Sequence, residues 1–169
     1  MEDNLILVDP LDRPIGTATK TQAHRDGLLH RAFSVFIVHD GKMLIQRRNP
    51  AKYHSGGLWA NACCSHPRSG ERLADAVQRR MAEEIGFACP VEEIGHFVYR
   101  SRYAEHLYEY EYDHVFLGDY QGEVAFNPDE ISEIRWIALD ELAADLTANP
   151  QRYSSWFFPA ASLVLEHLM

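Results

Sequence analysis

The sequence predicts an α+β fold, an α/β/α sandwich in which helices cover both faces of a mixed β-sheet. Three observations lead there. Short runs with strand-like patterning recur along the chain, and helical patterns interrupt them irregularly. One helical pattern, over residues 71–85, is clearly amphipathic, with Leu73, Val77, Met81 and Ile85 recurring every fourth position. No repeat or linker divides the 169 residues, so 1–169 reads as one domain.

Taken in order, residues 5–8 read as a short strand, stopped by Asp9-Pro10 and a turn through Arg13-Pro14, with residues 15–19 pairing back on it. Residues 32–38 form an apolar run rich in Phe and Val. Asp40-Gly41 then supplies a tight-turn signal before the alternating run 42–48, which together predict a β-hairpin. Residues 49–57, with Pro50 and Gly56-Gly57, predict a loop. The helix over 71–85 ends where Gly86 can take the left-handed position, and Pro90 follows soon after. Longer strands are expected over 94–102 and 108–117, and a last short one at 136–137. Helices follow over 140–147 and 154–169.

Composition narrows the function. Hydrophobic residues make up 46% and charged residues 24%, within the globular range and outside that of disordered chains. A net charge of −9 argues against a general nucleic-acid binder. Met1-Glu2-Asp3-Asn4 lacks the basic and apolar regions of a signal peptide, and no stretch approaches the roughly 20 apolar residues that span a bilayer. Three cysteines, Cys63, Cys64 and Cys89, are odd in number and badly spaced for a disulfide framework, which fits a reducing, cytoplasmic setting. Charge is also distributed unevenly. Residues 47–80 hold seven bases against two acids, whereas residues 103–133 hold nine carboxylates and no Lys or Arg. The first stretch suits a small polyanion such as a phosphate compound and the second a cation, although two solvated faces would give the same pattern.

Several constellations carry possible chemistry. Arg80 and Glu84 flank the apolar stripe of the 71–85 helix, either as a surface ion pair or as a carboxylate that holds a divalent cation beside a phosphate. In the run 108–114, strand alternation puts Glu109, Glu111 and Asp113 on one face and Tyr108, Tyr110 and Tyr112 on the other. The carboxylate face suits solvent or a metal, and the tyrosine face is expected to pack in the core. His24, His30 and His66 are spaced too irregularly for one helical site, so folding must assemble any metal centre they share. Cys64 and His66 project to the same side of an extended segment, where a neighbouring cation would lower the thiol pKa. Cys89 is expected to be a buried hydrophobe.

The run from Ser65 through Glu71 to Arg79-Arg80-Met81-Ala82-Glu83-Glu84-Ile85-Gly86-Phe87 resembles the Nudix box, a loop–helix–loop that binds metal and diphosphate. It departs from that pattern at Ser65, where glycine is usual, and at Arg80, where the first glutamate of the Arg-Glu pair is usual. In this it is similar to the type I isopentenyl-diphosphate isomerases. That likeness runs from residue 5 to about residue 158. It rests on Lys20, His24 and His30; Arg47, Arg48 and Lys52; Trp59, Asn61, Cys64, His66 and Pro67; Arg80 and Glu84; Tyr99; Glu109 and Glu111; and Trp156-Phe157. Ser155, where proline is usual before the tryptophan, is a further departure.

The resemblance implies a Nudix-like sandwich and an isomerase that interconverts isopentenyl and dimethylallyl diphosphate. His24, His30, His66, Glu109 and Glu111 would bind a first metal, Mn²⁺, Zn²⁺ or Mg²⁺. Lys20, Arg48, Lys52 and Arg80 would grip the diphosphate, with Mg²⁺ bridging it to Glu84, and no flavin is implied. Cys64 and Glu111 would handle protons, with Tyr99 beside the glutamate and Trp156 facing the hydrocarbon. Moving a double bond through a tertiary carbocation needs an acid, a base and no water, which this set supplies. Which of Cys64 and Glu111 takes which step is open, and so is the oligomeric state. The expected partner is a small isoprenoid diphosphate, with no nucleic acid or membrane. The competing readings are a Nudix-type diphosphate hydrolase, opposed by Arg80, and a non-catalytic isoprenoid-diphosphate binder.

Overall fold

The computed structural model describes residues 2–169, so Met1 lies outside the described residues. The chain begins with an antiparallel hairpin of β1 (Asn4–Val8) and β2 (Pro14–Thr19), with Leu5 opposite Ala18 and Ile6 opposite Thr17, as the sequence predicts. A short helix, α1 (Lys20–Asp26), follows at once. The sequence reading assigned no helix there, because two turns are too few to display an apolar stripe. Its ends are nevertheless capped: Thr19 Oγ1 accepts from the Gln22 N–H at 3.2 Å, and Gly27 takes the left-handed conformation at φ 66°.

β3 (His30–His39) and β4 (Lys42–Arg48) form the expected hairpin, turning through Asp40 and Gly41 at φ 51° and 73°, the paired left-handed residues of a type I′ turn. Two strands the sequence left unassigned come next, β5 (Trp59–Asn61) and β6 (Cys63–Ser65). The amphipathic helix α2 spans Leu73–Ile85, starting two residues later than expected because Arg72 is still extended at its N-cap. β7 (Val91–Ala104) and β8 (Leu107–Asp119) are a long hairpin, and β9 (Ile131–Ala138) is longer than its two-residue apolar signal. Helices α3 (Leu139–Ala148) and α4 (Phe157–Leu168) close the chain, α4 beginning three residues late after a 3₁₀ turn over Pro150–Arg152 and a short extended stretch.

The strands form one mixed sheet centred on β3. Along one side β3 runs parallel to β8, from His30 opposite Glu111 to Val38 opposite Asp119. Along the other it meets β1 at His30, β6 over residues 33–35 and β4 at residues 38–39, all antiparallel. β4 curls away to pair with β5 and β9. Because alternate side chains of a strand face opposite ways, β3 feeds two cores. Phe33, Val35 and Ile37 pack with Val77, Met81 and Ile85 of α2, while Phe36 packs with Leu142, Phe157, Ala161 and Val164 of α3 and α4. Helices therefore cover both faces of the sheet, the predicted α/β/α arrangement.

One expectation is met only in part. On β8 the carboxylates, not the tyrosines, are the fully buried set: Glu109, Glu111 and Asp113 are 6%, 6% and 1% exposed. Tyr112 does pack with Ile6 and Val8, but Tyr108 and Tyr110 are half-buried beneath Arg100. The carboxylate face looks into a cavity rather than into solvent.

Candidate active site

The parallel register of β3 and β8 sets the first part of the site, since it places His30 directly opposite Glu111. His30 Nδ1 lies 2.9 Å from the Leu28 carbonyl, which fixes the proton there and leaves Nε2 facing Glu111 Oε2 at 3.2 Å. His66, just beyond β6, brings its Nε2 to 2.9 Å from the same oxygen. His24 arrives from α1, with its ring centre 5.6 Å from that of His30 and 6.0 Å from that of His66. One ligand atom from each of His24, His30, His66 and Glu111 lies within 4.8 Å of all the others. His24 Nε2 is buried with no hydrogen-bond partner. An orphaned imidazole nitrogen converging with two others on a carboxylate fits a divalent metal, and the N/O donor set suits Mn²⁺, Zn²⁺ or Mg²⁺ better than a thiophilic ion.

Glu109, the fifth ligand implied by the resemblance, is adjacent but outside this group. Its Oε1 accepts from the Tyr99 hydroxyl at 2.6 Å and from Tyr103 at 3.2 Å, and its Oε2 lies 3.3 Å from His54 Nε2. Tyr99 also reaches Glu111 Oε1 at 2.9 Å, so one phenolic proton sits between two carboxylates.

Burial and partners set the charges here. Burial pushes Glu111 upward, but the His30 and His66 imidazoles against its Oε2 outweigh it and hold the carboxyl well below its usual range. Glu109 is also lowered, because His54 and Tyr99 outweigh burial and the neighbouring Glu111 charge. Asp113 goes the other way: burial and Glu111 hold it well above the carboxylate range, with only Ser34 Oγ donating to Oδ2 at 3.0 Å. Burial drops His24 to about 4. Cys64 corrects the sequence expectation, since burial raises the thiol and outweighs the lowering by Arg48. It remains a protonated thiol at neutral pH.

The expected diphosphate side lies across the same cavity. Lys20, Arg48, Lys52, Arg80 and Glu84 line it together with Cys64, His66, Tyr99, Glu109, Glu111 and Trp156. Arg80 on α2 spans Glu83 at 2.6 Å and Glu84 Oε2 at 3.4 Å; Arg80 is half-buried and Glu84 buried at the cavity, so the pair is not free in solvent. Cys63, the thiol behind Cys64, donates to Glu84 Oε2 at 2.9 Å. Lys52 is tied to Glu130 at 2.6 Å, Lys20 lies over the Tyr53 ring at 5.1 Å, and the Arg48 guanidinium lies 5.0 Å from the centre of Trp156. The indole N–H of Trp156 donates to Asn61 Oδ1 at 3.1 Å, and Asn61 is itself anchored to the carbonyls of Val35 and Cys63. His24 and His30 are not among the residues that line this cavity.

Sequence reading missed His54, Tyr103, Asp113 and Glu130 as site residues. Asp113 was within reach, since alternation puts it on the Glu109–Glu111 face. His54 and Glu130 sit in connecting segments without periodicity, and nothing in their spacing points to their partners.

The arrangement offers a nitrogen-and-carboxylate metal centre, a half-buried thiol lining the same cavity as a buried carboxylate, and a cluster of cations with Glu84. A NUDIX domain family model matches residues 28–157. An isopentenyl-diphosphate Delta-isomerase 2 of Photorhabdus laumondii is 47% identical over 158 residues, covering 93% of this chain and 89% of that protein. An isopentenyl-diphosphate Delta-isomerase of Burkholderia multivorans is 48% identical over 158 residues, covering 93% and 90%. Among solved structures, a protein of Deinococcus radiodurans superposes with a TM-score of 0.72 at 24% identity, covering 87% of this chain and 90% of that one. A MutT NUDIX hydrolase of Burkholderia pseudomallei gives 0.66 at 23%, covering 80% and 98%. At those identities the solved structures speak for the fold alone.

Proposed function

This chain belongs to the Nudix family and, within it, to the isopentenyl-diphosphate Delta-isomerases, and from that membership we propose how its residues 1–169, acting as one domain, interconvert isopentenyl and dimethylallyl diphosphate. The observation that carries the reading is that the Cys64 thiol and the Glu111 carboxylate line one cavity that also holds the cation cluster; burial keeps the proton on the thiol, and the neighbouring histidines keep the carboxylate ionised. The reaction adds a proton at the terminal carbon and removes one from C2, so it needs one group that bears a proton and one that does not. Cys64 and Glu111 are such a pair, and their roles exchange with direction.

Lys20, Arg48, Lys52 and Arg80 grip the diphosphate. Binding energy spent far from the reacting carbons then fixes the alkene between thiol and carboxylate. Trp156, 3% exposed, faces the hydrocarbon, and an indole face stabilises a nearby cation by ~0.5–2 kcal/mol without attacking it. Tyr99, hydrogen-bonded to Glu111 Oε1, orients that carboxylate and sets where its proton sits. A Mn²⁺, Zn²⁺ or Mg²⁺ held by His24, His30, His66 and Glu111, with Glu109 beside them, would supply positive charge that offsets burying these carboxylates, and Mg²⁺ at Glu84 would do the same for the diphosphate. Arg80 stands against hydrolysis, because it replaces a carboxylate with a cation where Nudix hydrolases assemble several metals. The same reading places the reaction in isoprenoid precursor synthesis, in the cytoplasm; no helix among the described residues is long and apolar enough to cross a membrane.

Proton NMR of isopentenyl diphosphate with the protein, Mg²⁺ and Mn²⁺ in D₂O, with phosphorus NMR on the same tube, tests this. Dimethylallyl diphosphate carrying deuterium, without free phosphate, is the expected result. Released phosphate would move the protein to the hydrolases, and binding without turnover would make it a diphosphate binder.

A further inference from the structure

The loop from β4 to β5 presents one side chain that the proposed chemistry does not use. His54 comes from a segment bent back on itself: Ser55 takes φ 55°, Gly57 takes φ 78°, and at Gly56 a Cβ would fall 2.6 Å from the Pro50 carbonyl oxygen. The Lys52 N–H donates to the Asn49 carbonyl at 3.0 Å, and the Gly57 N–H to Arg48 at 2.9 Å. This folding turns the His54 ring inward, to 3% side-chain exposure.

The ring is held on every side. It stacks on Tyr103 with centres 4.3 Å apart and planes within 4°, meets Tyr53 edge-on at 4.4 Å, and lies 6.1 Å from Trp156. Its Nδ1 is 3.0 Å from Ser55 Oγ, so the hydroxyl can donate to Nδ1 and leave the proton on Nε2. That Nε2 is buried, lacks a well-aligned hydrogen bond, and faces Glu109 Oε2 at 3.3 Å. Tyr103, the ring under His54, donates to the other oxygen of the same carboxylate and contacts Ser155 Oγ at 2.7 Å. Two phenols therefore hold Oε1, and among the described residues His54 is the one side chain that makes a polar contact with Oε2. Without it the carboxylate would be free to swing toward or away from Glu111, its like-charged neighbour on the strand.

We infer that His54 is a positioning residue: backed by Tyr103, it fixes the Glu109 carboxylate beside the His24, His30, His66 and Glu111 centre. The inference rests on the isomerase reading for its effect on turnover, but its effect on metal binding stands apart from that reading. Residues that orient the neighbours of a metal centre typically change affinity or activity 10–100-fold when lost.

The test compares His54→Phe, which keeps a ring against Tyr103 without a donor, with His54→Gln, which restores a donor at similar reach. Mn²⁺ affinity is read from the loss of the free-ion EPR signal, alongside kcat, KM and the melting temperature in EDTA. The expected result for His54→Phe is Mn²⁺ affinity down about 10-fold and kcat down about 10–100-fold. KM should stay near its original value, and His54→Gln should recover most of both losses. Wild-type Mn²⁺ affinity and kcat in His54→Phe, or no recovery in His54→Gln, would overturn the assignment. If His54→Phe melts early, the pair is examined in a Glu109→Gln background. A residue acting through Glu109 then costs nothing further, whereas full additivity sinks the idea. A protein that binds Mn²⁺ but does not isomerise would remove the functional reading while leaving the EPR comparison to judge His54.

Discussion

Cys63 and Cys64 are adjacent in β6, yet strand alternation sends them to different tasks. Cys63 is fully buried among α2 side chains and donates to Glu84, while Cys64 lines the cavity and keeps its proton through burial. Cys64→Ala is expected to abolish isomerisation while diphosphate binding persists. Cys63→Ala is expected to keep turnover but raise the Mg²⁺ concentration needed for half-maximal rate several-fold, because Glu84 loses a donor. Mg²⁺ titrations of both variants check this, and equal loss of activity would show that the two thiols are not divided in this way. Sequence offset from His66 singles out Cys64, but the thiol pKa was misread from sequence, since burial cannot be seen in spacing. The same limit hid His54, whose partner Glu109 lies far along the chain in another strand. Alternation correctly separated the carboxylates of β8 from its tyrosines. Polarity left that carboxylate face open to solvent or a metal, and the structure buries it against a cavity, contrary to the usual preference of carboxylates for water.

At the scale of elements, α2 shows how firmly one helix end is built into the site. Gly86 adopts φ 74°, and a Cβ there would clash with the Ala125 carbonyl oxygen. Two residues earlier, the Glu84 carbonyl accepts from the Asn127 N–H at 2.8 Å. Gly86→Ala meets a left-handed backbone penalty of ~1–2 kcal/mol together with a backbone clash. Urea unfolding should therefore show a loss above about 2 kcal/mol; a loss within 0.5 kcal/mol would mean that the 125–127 segment yields freely. This helix was legible because its stripe and its terminal glycine agree. α1 was not, being too short for a stripe, although Thr19 and Gly27 mark its ends. β9 announced only Trp136 and Ile137. Its remaining length is set by pairing with β4, from Lys42 opposite Ala138 to Arg48 opposite Ile131, behind exposed Ser132, Glu133 and Arg135.

For the whole molecule, assembling the buried histidines makes metal-free stability depend on pH. Burial lowers His24 to about 4 in the folded protein, whereas the unfolded chain protonates it near 6.5. As pH falls below 6.5 the unfolded state takes up the proton first, so stability present above 6.5 is lost progressively down to about 4. The full loss is on the order of 3 kcal/mol. His66, lowered by burial, adds in the same direction; His30, raised by Glu111 against the effect of burial, opposes it. Urea unfolding in EDTA at pH 7 and pH 4.5 should show this fall, and His24→Gln should make it shallower. An unchanged slope would mean that His24 is not buried neutral.

β3 has a role in time as well as in space. It is the common neighbour of β1, β4, β6 and β8, and so of the strands that carry or flank His66, Glu111 and the Cys64 thiol. Glu111 sits tens of residues from Cys64 and His66 along the chain, and Trp156 joins them from close to the carboxyl end. Long loops must close before these separate segments meet, which makes such contacts late and slow to form. A partly folded chain thus holds neither the thiol–carboxylate pair nor the cation cluster in register. Recovery of turnover during refolding is accordingly a clock for the last long-range strand to dock.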